Sequence, residues 1–215
     1  MEELVPIPHP GVPLEYGRPG DPGVIVVHDW YGRLPWLENY AEALSRVGFR
    51  VLVPDLYDGV ATVDGEQAER LLTTLTDDGV DAEIDLALEQ LRSEGSTRIG
   101  VIGFSIGGWH GLRFAQTGAV DAVVAYYATL AENVHGVLPA PVLLHLAEVD
   151  EWPEGAEPGA FIARLKDDGT PIEQHAYPTT RHGFANGTVG GEFDREAAAL
   201  AFARSASFLE SQLTN

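Results

Sequence analysis

Short apolar runs alternate with amphipathic stretches along most of the chain. Each run covers four to seven residues, rich in β-branched and other apolar side chains, which is typical of strands buried on both faces. The amphipathic stretches carry an apolar stripe at helical spacing and predict helices. The predicted strands are 24–27, 49–54, 98–102, 121–127, 141–146 and 172–177, with a short edge strand around Leu14–Tyr16. The predicted helices are 36–47, 66–94 with a break near 77–79, 109–117, 161–166 and 193–209.

This alternation of strand and helix predicts an α/β protein with a mainly parallel sheet and helices on both faces of the sheet. No internal repeat, low-complexity segment or linker interrupts the pattern, so residues 1–215 are predicted to form a single domain. In such sheets the chemistry collects at the carboxyl ends of the strands. We therefore expect the functional residues to follow directly after the predicted strands.

The run at 98–102 leads into a Gly-x-Ser-x-Gly motif at 103–107. A strand, a sharp turn and a helix around this motif are the features of a nucleophile elbow. On so tight a turn the backbone of Ser105 is strained, and Gly103 and Gly107 leave room for neighbouring backbone where a Cβ would block it. We therefore expect the hydroxyl of Ser105 to project above the sheet edge. The amide of Ile106 points to the place where an oxyanion would form.

A nucleophilic serine needs a base, and the base needs an acid that holds its tautomer and offsets its charge. In folds with this elbow the partners follow in the chain order serine, acid, histidine. His182 lies on the loop after the last predicted strand and is the predicted base. Asp150 lies a few residues beyond the strand at 141–146 and is the predicted acid, with Glu148 and Glu151 as rivals.

The loop after the strand at 24–27 is predicted to supply the second oxyanion donor. The amide of Trp30 is the candidate, and His28, which ends the strand, could line the site. The side chains of Trp30, Tyr31 and Trp36 could form the apolar walls of an acyl pocket. The alternative, open above all for Trp36, is that these rings pack beneath the loop.

Charge and composition narrow the choice of partners. The 33 Asp and Glu residues outnumber the 13 Lys and Arg residues and give a formal charge of −20. This balance argues against nucleic acid and anionic membranes, because both need a basic surface. The chain has no cysteine, which excludes disulfides and thiolate zinc sites, and no metal-ligand spacing of histidines and acidic residues occurs, so no metal is predicted. The phosphate-binding Gly-rich motifs are absent, so no nucleotide cofactor is expected.

The sequence also bears on location and assembly. The first six residues lack the basic region of a signal peptide, and no run of about 18 apolar residues occurs. We therefore expect a cytoplasmic protein, a monomer or a small homo-oligomer, that acts on a small molecule.

Six short motifs follow one another along the chain: VIVVHDWYG at 24–32, VPDLY at 53–57, GFSIGG at 103–108, AYY at 125–127, HLAEVD at 145–150 and HGFA at 182–185. In this order they resemble the motifs of the dienelactone hydrolase family, which belongs to the α/β-hydrolases. The resemblance implies an α/β-hydrolase fold and hydrolysis of esters or lactones without a cofactor. By motif position it implies a triad of Ser105, Asp150 and His182, with the amides of Trp30 and Ile106 as the oxyanion hole.

The chain departs from the family pattern at three positions. The founding members carry cysteine where this chain has Ser105, and they carry a glutamate that helps to activate the thiol where it has Asp29. Asp29, one methylene shorter, is expected to be structural or to face the substrate. The founding members also hold the carboxylate of the lactone with an arginine where this chain has Asn186. A relocated cation would be Arg70 or Arg33.

Three functions are open at this point. The favoured one is a serine hydrolase of small, uncharged esters or lactones. The second is an amide or peptide hydrolase with the same triad, which the absence of a large lid or propeller domain disfavours. The third is a non-catalytic member of the fold that binds a small ligand, and the complete set of serine, acid and histidine speaks against it.

Overall fold

The computed structural model describes residues 4–151 and 157–214. Over these residues the chain forms nine strands and six helices. The strands are β1 (Leu4–Val5), β2 (Leu14–Tyr16), β3 (Gly23–Val27), β4 (Arg50–Val53), β5 (Ala61–Thr62), β6 (Ile99–Phe104), β7 (Ala122–Tyr126), β8 (Val142–Val149) and β9 (Ile172–Arg181). The helices are α1 (Pro35–Arg46), α2 (Gly65–Leu72), α3 (Asp77–Ser93), α4 (Ile106–Ala115), α5 (Pro158–Asp167) and α6 (Arg195–Leu213).

Seven of these strands form one sheet in the order β2-β4-β3-β6-β7-β8-β9. The edge strand β2 pairs with β4 in an antiparallel manner, and all other neighbours in the sheet are parallel. Parallel strands need crossover connections, and the helices between them cover the faces of the sheet. The predicted α/β architecture is therefore confirmed.

The core lies in two layers, one on each face of the sheet. Successive side chains of β3 point alternately into the two layers, with Val24 and Val26 on one face and Ile25 and Val27 on the other. The first layer is covered by α1 and α6, and the second by α3, α4 and α5. Because both faces are covered, every residue of β3, β4, β6 and β7 is buried.

The boundaries differ from the sequence prediction in several places. The long helical stretch divides at 73–76, where Thr76 Oγ1 caps α3 by accepting a hydrogen bond from Gly79 N at 3.1 Å. Asp77 and Asp78 therefore lie in the first turn of α3, where negative charge stabilises a helix. Helix α4 begins at Ile106 rather than at 109. The two-residue strands β1 and β5, which pair with each other, were not predicted, because so short a strand leaves no periodic pattern.

Strands β8 and β9 extend beyond the predicted ends. They pair as far as Val149 and Arg181, with a register irregularity between Ala147 and Val149. The backbone of His182 continues this pairing, since His182 N donates to Val149 O at 3.1 Å. The two loops that carry the predicted acid and base thus leave the sheet side by side. None of the described helices combines the length and apolar character needed to cross a membrane.

Candidate active site

Ser105 lies between β6 and α4 in a backbone conformation that non-glycine residues rarely adopt, with φ of 53° and ψ of −119°. Its amide is held by a hydrogen bond of 3.0 Å to Tyr126 O at the end of β7. The flanking glycines permit the turn because the backbone is crowded. A Cβ on Gly103 would lie 2.2 Å from Gly107 O, and a Cβ on Gly107 would lie 2.3 Å from His28 O. Glycine is thus required at both positions.

The hydroxyl of Ser105 is the first member of a hydrogen-bonded chain of three side chains. Ser105 Oγ lies 2.7 Å from His182 Nε2, and His182 Nδ1 lies 2.8 Å from Asp150 Oδ1. The rival acid Glu148 has a different partner, because its Oε2 accepts a hydrogen bond from the backbone N–H of Thr179. The structure therefore brings together the three residues predicted as a triad.

The imidazole of His182 is held between a strand end and an aromatic ring. Gly183, with φ of 89°, turns the chain away directly after it. The ring of Tyr127 lies 4.8 Å from the imidazole, between ring centroids. Tyr127 is itself buried and adopts a positive φ of 39°. Since Tyr127 follows the last residue of β7, the same strand end positions both Ser105 and His182.

Asp29 and Asn186 form a buried pair next to the nucleophile. Asp29 Oδ2 accepts a hydrogen bond of 2.8 Å from Asn186 Nδ2, and Asp29 Oδ1 accepts one of 3.0 Å from Tyr31 N. Asn186 Oδ1 in turn accepts from the backbone amides of Thr188 and Val189, both at 3.0 Å. Burial raises the pKa of Asp29 to about 6, against the opposing effect of these hydrogen bonds. Asp29 thus joins the loop after β3 to the loop after His182.

Two adjoining cavities open at Ser105 and His182. The larger, of about 510 Å³, mixes apolar walls with carboxylates and one guanidinium. Its lining residues are Trp30, Glu69, Leu72, Ser105, Ile106, Val149, Glu151, Arg181, His182 and Glu192. The smaller, of about 220 Å³, extends towards the Asp29–Asn186 pair. Its lining residues are Asp29, Trp30, Tyr31, Ser105, Tyr127, His182, Gly183, Asn186, Val189 and Glu192.

The oxyanion candidates Trp30 and Ile106 both line the larger cavity together with Ser105. Ile106 is the first residue of α4, and the first N–H groups of a helix have no partner within the helix. Its amide and the positive end of the helix dipole are therefore available at the nucleophile.

Trp36 does not form a wall of the acyl pocket, contrary to the prediction from the sequence. Neither cavity at Ser105 includes Trp36 among its lining residues. Its ring packs edge-on against Phe104 in the core, with 4.7 Å between centroids. Trp36 thus packs in the core and does not line the cavities, in keeping with the alternative interpretation.

The two proposed substitutes for the family's arginine also lie elsewhere. Arg70 is exposed on α2, lines neither cavity at Ser105, and donates to Gln67 Oε1 through Nε and Nη2. Arg33 is fully buried, and its Nη2 atom lies 3.9 Å from Asp55 Oδ2. It is a structural cation, because it donates to the backbone carbonyls of Pro8, His9, Val12 and Val53.

Several cavity residues were missed in the sequence. Arg181 lines the larger cavity and adjoins His182 in the chain, and this adjacency could have singled it out. Tyr127 ends both the predicted strand 121–127 and the AYY motif, and this position could have singled it out. Glu69, Leu72 and Glu192 carried no signal, because they reach the cavity from α2 and from the segment before α6.

Comparison with known structures and sequences places the fold and the family. The fold is that of the α/β-hydrolases. A dienelactone hydrolase-like promiscuous phosphotriesterase from metagenomic libraries superposes on this chain with a TM-score of 0.76 at 18% sequence identity. The match covers 89% of this chain and 86% of that chain. A cold-adapted esterase from an Arctic intertidal metagenomic library has a TM-score of 0.67 at 19% identity over 90% of this chain and 83% of that chain. The model of the dienelactone hydrolase family matches residues 14–213, and the chain belongs to this family.

Individual relatives are similar over almost the whole chain. The protein usf of Aquifex pyrophilus is 28% identical over 213 residues, which cover 91% of this chain and 90% of that protein. The carboxymethylenebutenolidase of Pseudomonas putida is 24% identical over 203 residues, 87% of this chain and 85% of that enzyme. The predicted resemblance and the prediction of a hydrolase of ester or lactone bonds are thus confirmed at the level of the family.

Proposed function

We propose that this protein is a serine hydrolase that cleaves a carboxylic ester or lactone of a small molecule through an acyl-enzyme on Ser105. The observation that carries the proposal is the unbroken hydrogen-bonded chain from Ser105 through His182 to Asp150 at the meeting point of two cavities. The carboxylate of Asp150 can only accept, so His182 Nδ1 carries the proton and Nε2 presents its lone pair to Ser105.

In the first half of the reaction, Ser105 Oγ attacks the carbonyl carbon and its proton passes to His182 Nε2. The carbonyl π-electron pair moves to the oxygen, which the amides of Trp30 and Ile106 stabilise. Collapse of the tetrahedral intermediate breaks the C–O bond of the ester, and the leaving alkoxide takes the proton from His182. In a lactone the released hydroxyl stays attached to the acyl group.

In the second half, water attacks the acyl-enzyme and gives its proton to His182 Nε2. The second tetrahedral intermediate releases Ser105 Oγ, which recovers the proton, and a carboxylic acid leaves. The Asp150 carboxylate stays ionised throughout and stabilises the imidazolium that forms in each half.

The cavity walls favour a substrate that is small and uncharged. Trp30, Leu72 and Val149 offer apolar surface, whereas the charged groups of the larger cavity are mostly carboxylates. The guanidinium of Arg181, through Nε, lies 3.8 Å from Glu192 Oε2, so its charge is already offset. At the family's arginine position Asn186 donates to Asp29 instead of to a substrate carboxylate.

Labelling with a fluorophosphonate followed by peptide mass spectrometry tests the proposal most directly. The expected result is a single adduct on Ser105, with matching loss of activity on a short-chain p-nitrophenyl ester. A matched control is Ser205→Ala, which removes another serine that contacts a histidine and should leave labelling intact. A wild-type protein that neither reacts with the probe nor hydrolyses esters would instead be a non-catalytic ligand binder. Faster cleavage of an acyl amide than of the matched ester would favour the amide hydrolase. The single domain and the cytoplasmic location expected from the sequence remain predictions.

A further inference from the structure

His28 is a fully buried histidine that takes no part in the mechanism described above. It follows the last residue of β3 and precedes the loop that carries Trp30. Its Nδ1 atom lies 2.6 Å from Asp29 O, and its Nε2 atom accepts a hydrogen bond of 3.2 Å from Leu56 N. The ring also lies 5.0 Å from that of Tyr57, between centroids. Both ring nitrogens are thus occupied by backbone groups.

These two contacts fix the protonation of the ring. A carbonyl oxygen can only accept a hydrogen bond, so Nδ1 must carry a proton. A backbone N–H can only donate, so Nε2 must be unprotonated. The ring is therefore neutral in its Nδ1–H tautomer, and burial accordingly lowers the pKa of His28 to about 4.

The contact to Asp29 O also fixes the direction of the neighbouring amide. Asp29 O and the N–H of Trp30 belong to the same peptide unit, which is planar and trans, so they point in opposite directions. A ring that holds the oxygen on one side keeps the N–H turned to the other side. The donated hydrogen bond also polarises the peptide unit and strengthens its N–H as a donor.

We propose that His28 is a positioning residue that aims and polarises the Trp30 amide of the oxyanion hole. This inference rests on the proposed function, because it assigns the Trp30 N–H to the developing oxyanion. The backbone supports it independently. The position of a Cβ on Gly107 is only 2.3 Å from His28 O and 2.5 Å from Val27 O, so the end of β3 lies directly against the start of α4. The two segments that carry the oxyanion donors are therefore packed backbone to backbone.

A pair of amide substitutions separates the two contacts of the ring. The amide nitrogen of His28→Asn is as many bonds from the backbone as Nδ1, so it can still donate to Asp29 O. The amide oxygen of His28→Gln is as many bonds from the backbone as Nε2, so it can still accept a hydrogen bond from Leu56 N. The His28→Gln variant has no donor at the position of Nδ1, so it loses the hydrogen bond to Asp29 O. We expect kcat on a neutral ester to fall about 30-fold or more in His28→Gln and less than about tenfold in His28→Asn, with KM changed by less than about threefold in both, because an oxyanion hole acts in the transition state.

A thionoester measures the oxyanion hole itself. Sulfur accepts hydrogen bonds more weakly than oxygen, so a working hole favours the ester over its thiono analogue. The ratio of kcat/KM for ester to thionoester should be at least about fivefold lower in His28→Gln than in the wild type, and His28→Asn should restore most of it. A purely structural role would lower both rates together and leave the ratio unchanged, which would overturn the inference.

The tautomer can be measured on the wild-type protein and does not depend on whether the variants fold. Long-range ¹H–¹⁵N correlation of the assigned His28 ring at neutral pH should show a protonated Nδ1 and an unprotonated Nε2. An Nε2–H tautomer or a charged ring would refute the proposed contact. A failure of the proposed function looks different, since the wild type would then hydrolyse neither ester nor thionoester.

Discussion

Ser105 and Ser205 each contact the Nε2 atom of a histidine, but they do so in different regions of the molecule. Ser105 Oγ lies 2.7 Å from His182 Nε2 at the cavities. Ser205 Oγ, on α6, lies 2.9 Å from Nε2 of His145, on β8, in the core between the helix and the sheet. By distance alone, either pair could be a nucleophile and its base. The groups around each pair separate the two.

The third partner sets the direction of the hydrogen bonds. At the cavities, the Asp150 carboxylate accepts a hydrogen bond from the protonated Nδ1 of His182, so the lone pair on Nε2 faces the serine. In the core between β8 and α6, His145 Nδ1 lies 2.8 Å from the hydroxyl of Tyr177, which can donate a hydrogen bond to it. The proton of His145 then sits on Nε2 and faces Ser205, so this imidazole has no lone pair to offer the serine.

The remaining contacts of Ser205 agree with that polarity. Its hydroxyl donates to Ala201 O at 3.0 Å, and Tyr126 OH, at 2.8 Å, donates to it in turn. Tyr40 OH, at 3.0 Å from Tyr126 OH, completes a chain in which every hydroxyl proton has an acceptor. His145 and Ser205 have no exposed surface. The two contacts thus differ in their surroundings: the one at Ser105 has a carboxylate behind the imidazole and a cavity in front of the serine, and the one at Ser205 has neither.

The sharpest test of this contrast replaces each serine by alanine. Ser105→Ala, and likewise His182→Ala, should lower kcat/KM on a neutral ester by about 10⁴-fold or more, because triad members act as a unit. Ser205→Ala should stay within about threefold of the wild type. Steady-state kinetics with folded protein, checked by circular dichroism, gives both values. Retention of a tenth of the rate by Ser105→Ala would remove it as the nucleophile.

The choice of acid can be tested in the same way. Asp150→Asn should lower kcat by about 10³- to 10⁴-fold, since the amide no longer stabilises the imidazolium or holds the tautomer. Glu148→Gln is the matched control and should lose less than about threefold, because the Glu148 carboxylate bonds to the Thr179 amide of β9 and not to His182. A larger loss in Glu148→Gln than in Asp150→Asn would reverse the assignment.

The buried hydrogen-bonded chain around Ser205 should contribute to the free energy of unfolding. Ser205→Ala leaves His145 and Tyr126 each without one partner in the core, which should lower the free energy of unfolding by about 1–3 kcal/mol. Urea denaturation measures this change. The same measurement on Ser105→Ala should give a smaller loss, because Ser105 borders a cavity. An equal loss in both variants would erase the difference between the two regions.

The buried histidine should also shape the pH dependence of stability. Burial holds the pKa of His145 well below its usual value, so the unfolded chain binds a proton near pH 6.5 that the native state does not. The free energy of unfolding therefore loses a contribution of about 1.4 kcal/mol per pH unit from His145 as the pH falls below ~6.5. His145→Gln removes this contribution, so its stability should fall less steeply than that of the wild type between pH 6.5 and 5. Parallel slopes for the two proteins would contradict the argument.

The smallest expected effect concerns substrate charge at the cavity. The kcat/KM for a neutral ester should be about tenfold higher than for its ω-carboxylate analogue. The carboxylates of Glu69, Glu151 and Glu192 line the cavity and repel the substrate carboxylate. Asn186 donates to Asp29 and therefore does not bind the substrate carboxylate. Added salt should lower the ratio of the two kcat/KM values, because it screens the repulsion. Arg181→Gln should raise this ratio, and Arg70→Gln, which lies outside the cavity, should leave it unchanged. A preference for the anionic substrate that Arg181→Gln abolishes would identify Arg181 as the carboxylate clamp.

Local physics determined what the sequence could predict. The nucleophile elbow follows from five consecutive residues, since only glycine at 103 and 107 tolerates the backbone that crowds against them. The parallel sheet follows from the apolar runs and the helices between them. The acid and the base followed from the chain order serine, acid, histidine of folds with this elbow, together with the position of each residue after a predicted strand. Membership of the dienelactone hydrolase family was likewise readable from short motifs.

The tertiary structure decided everything that depends on which strand ends and helices meet. It brought Asp150 rather than Glu148 to His182, because the paired extension of β8 and β9 fixes which side chains leave the sheet together. It buried Trp36 against the core and brought Arg181 to the cavity. It also placed Ser205 against a histidine 60 residues away in the chain. No local pattern encodes such contacts, because they arise from sheet order and register, which the whole set of packed elements determines together.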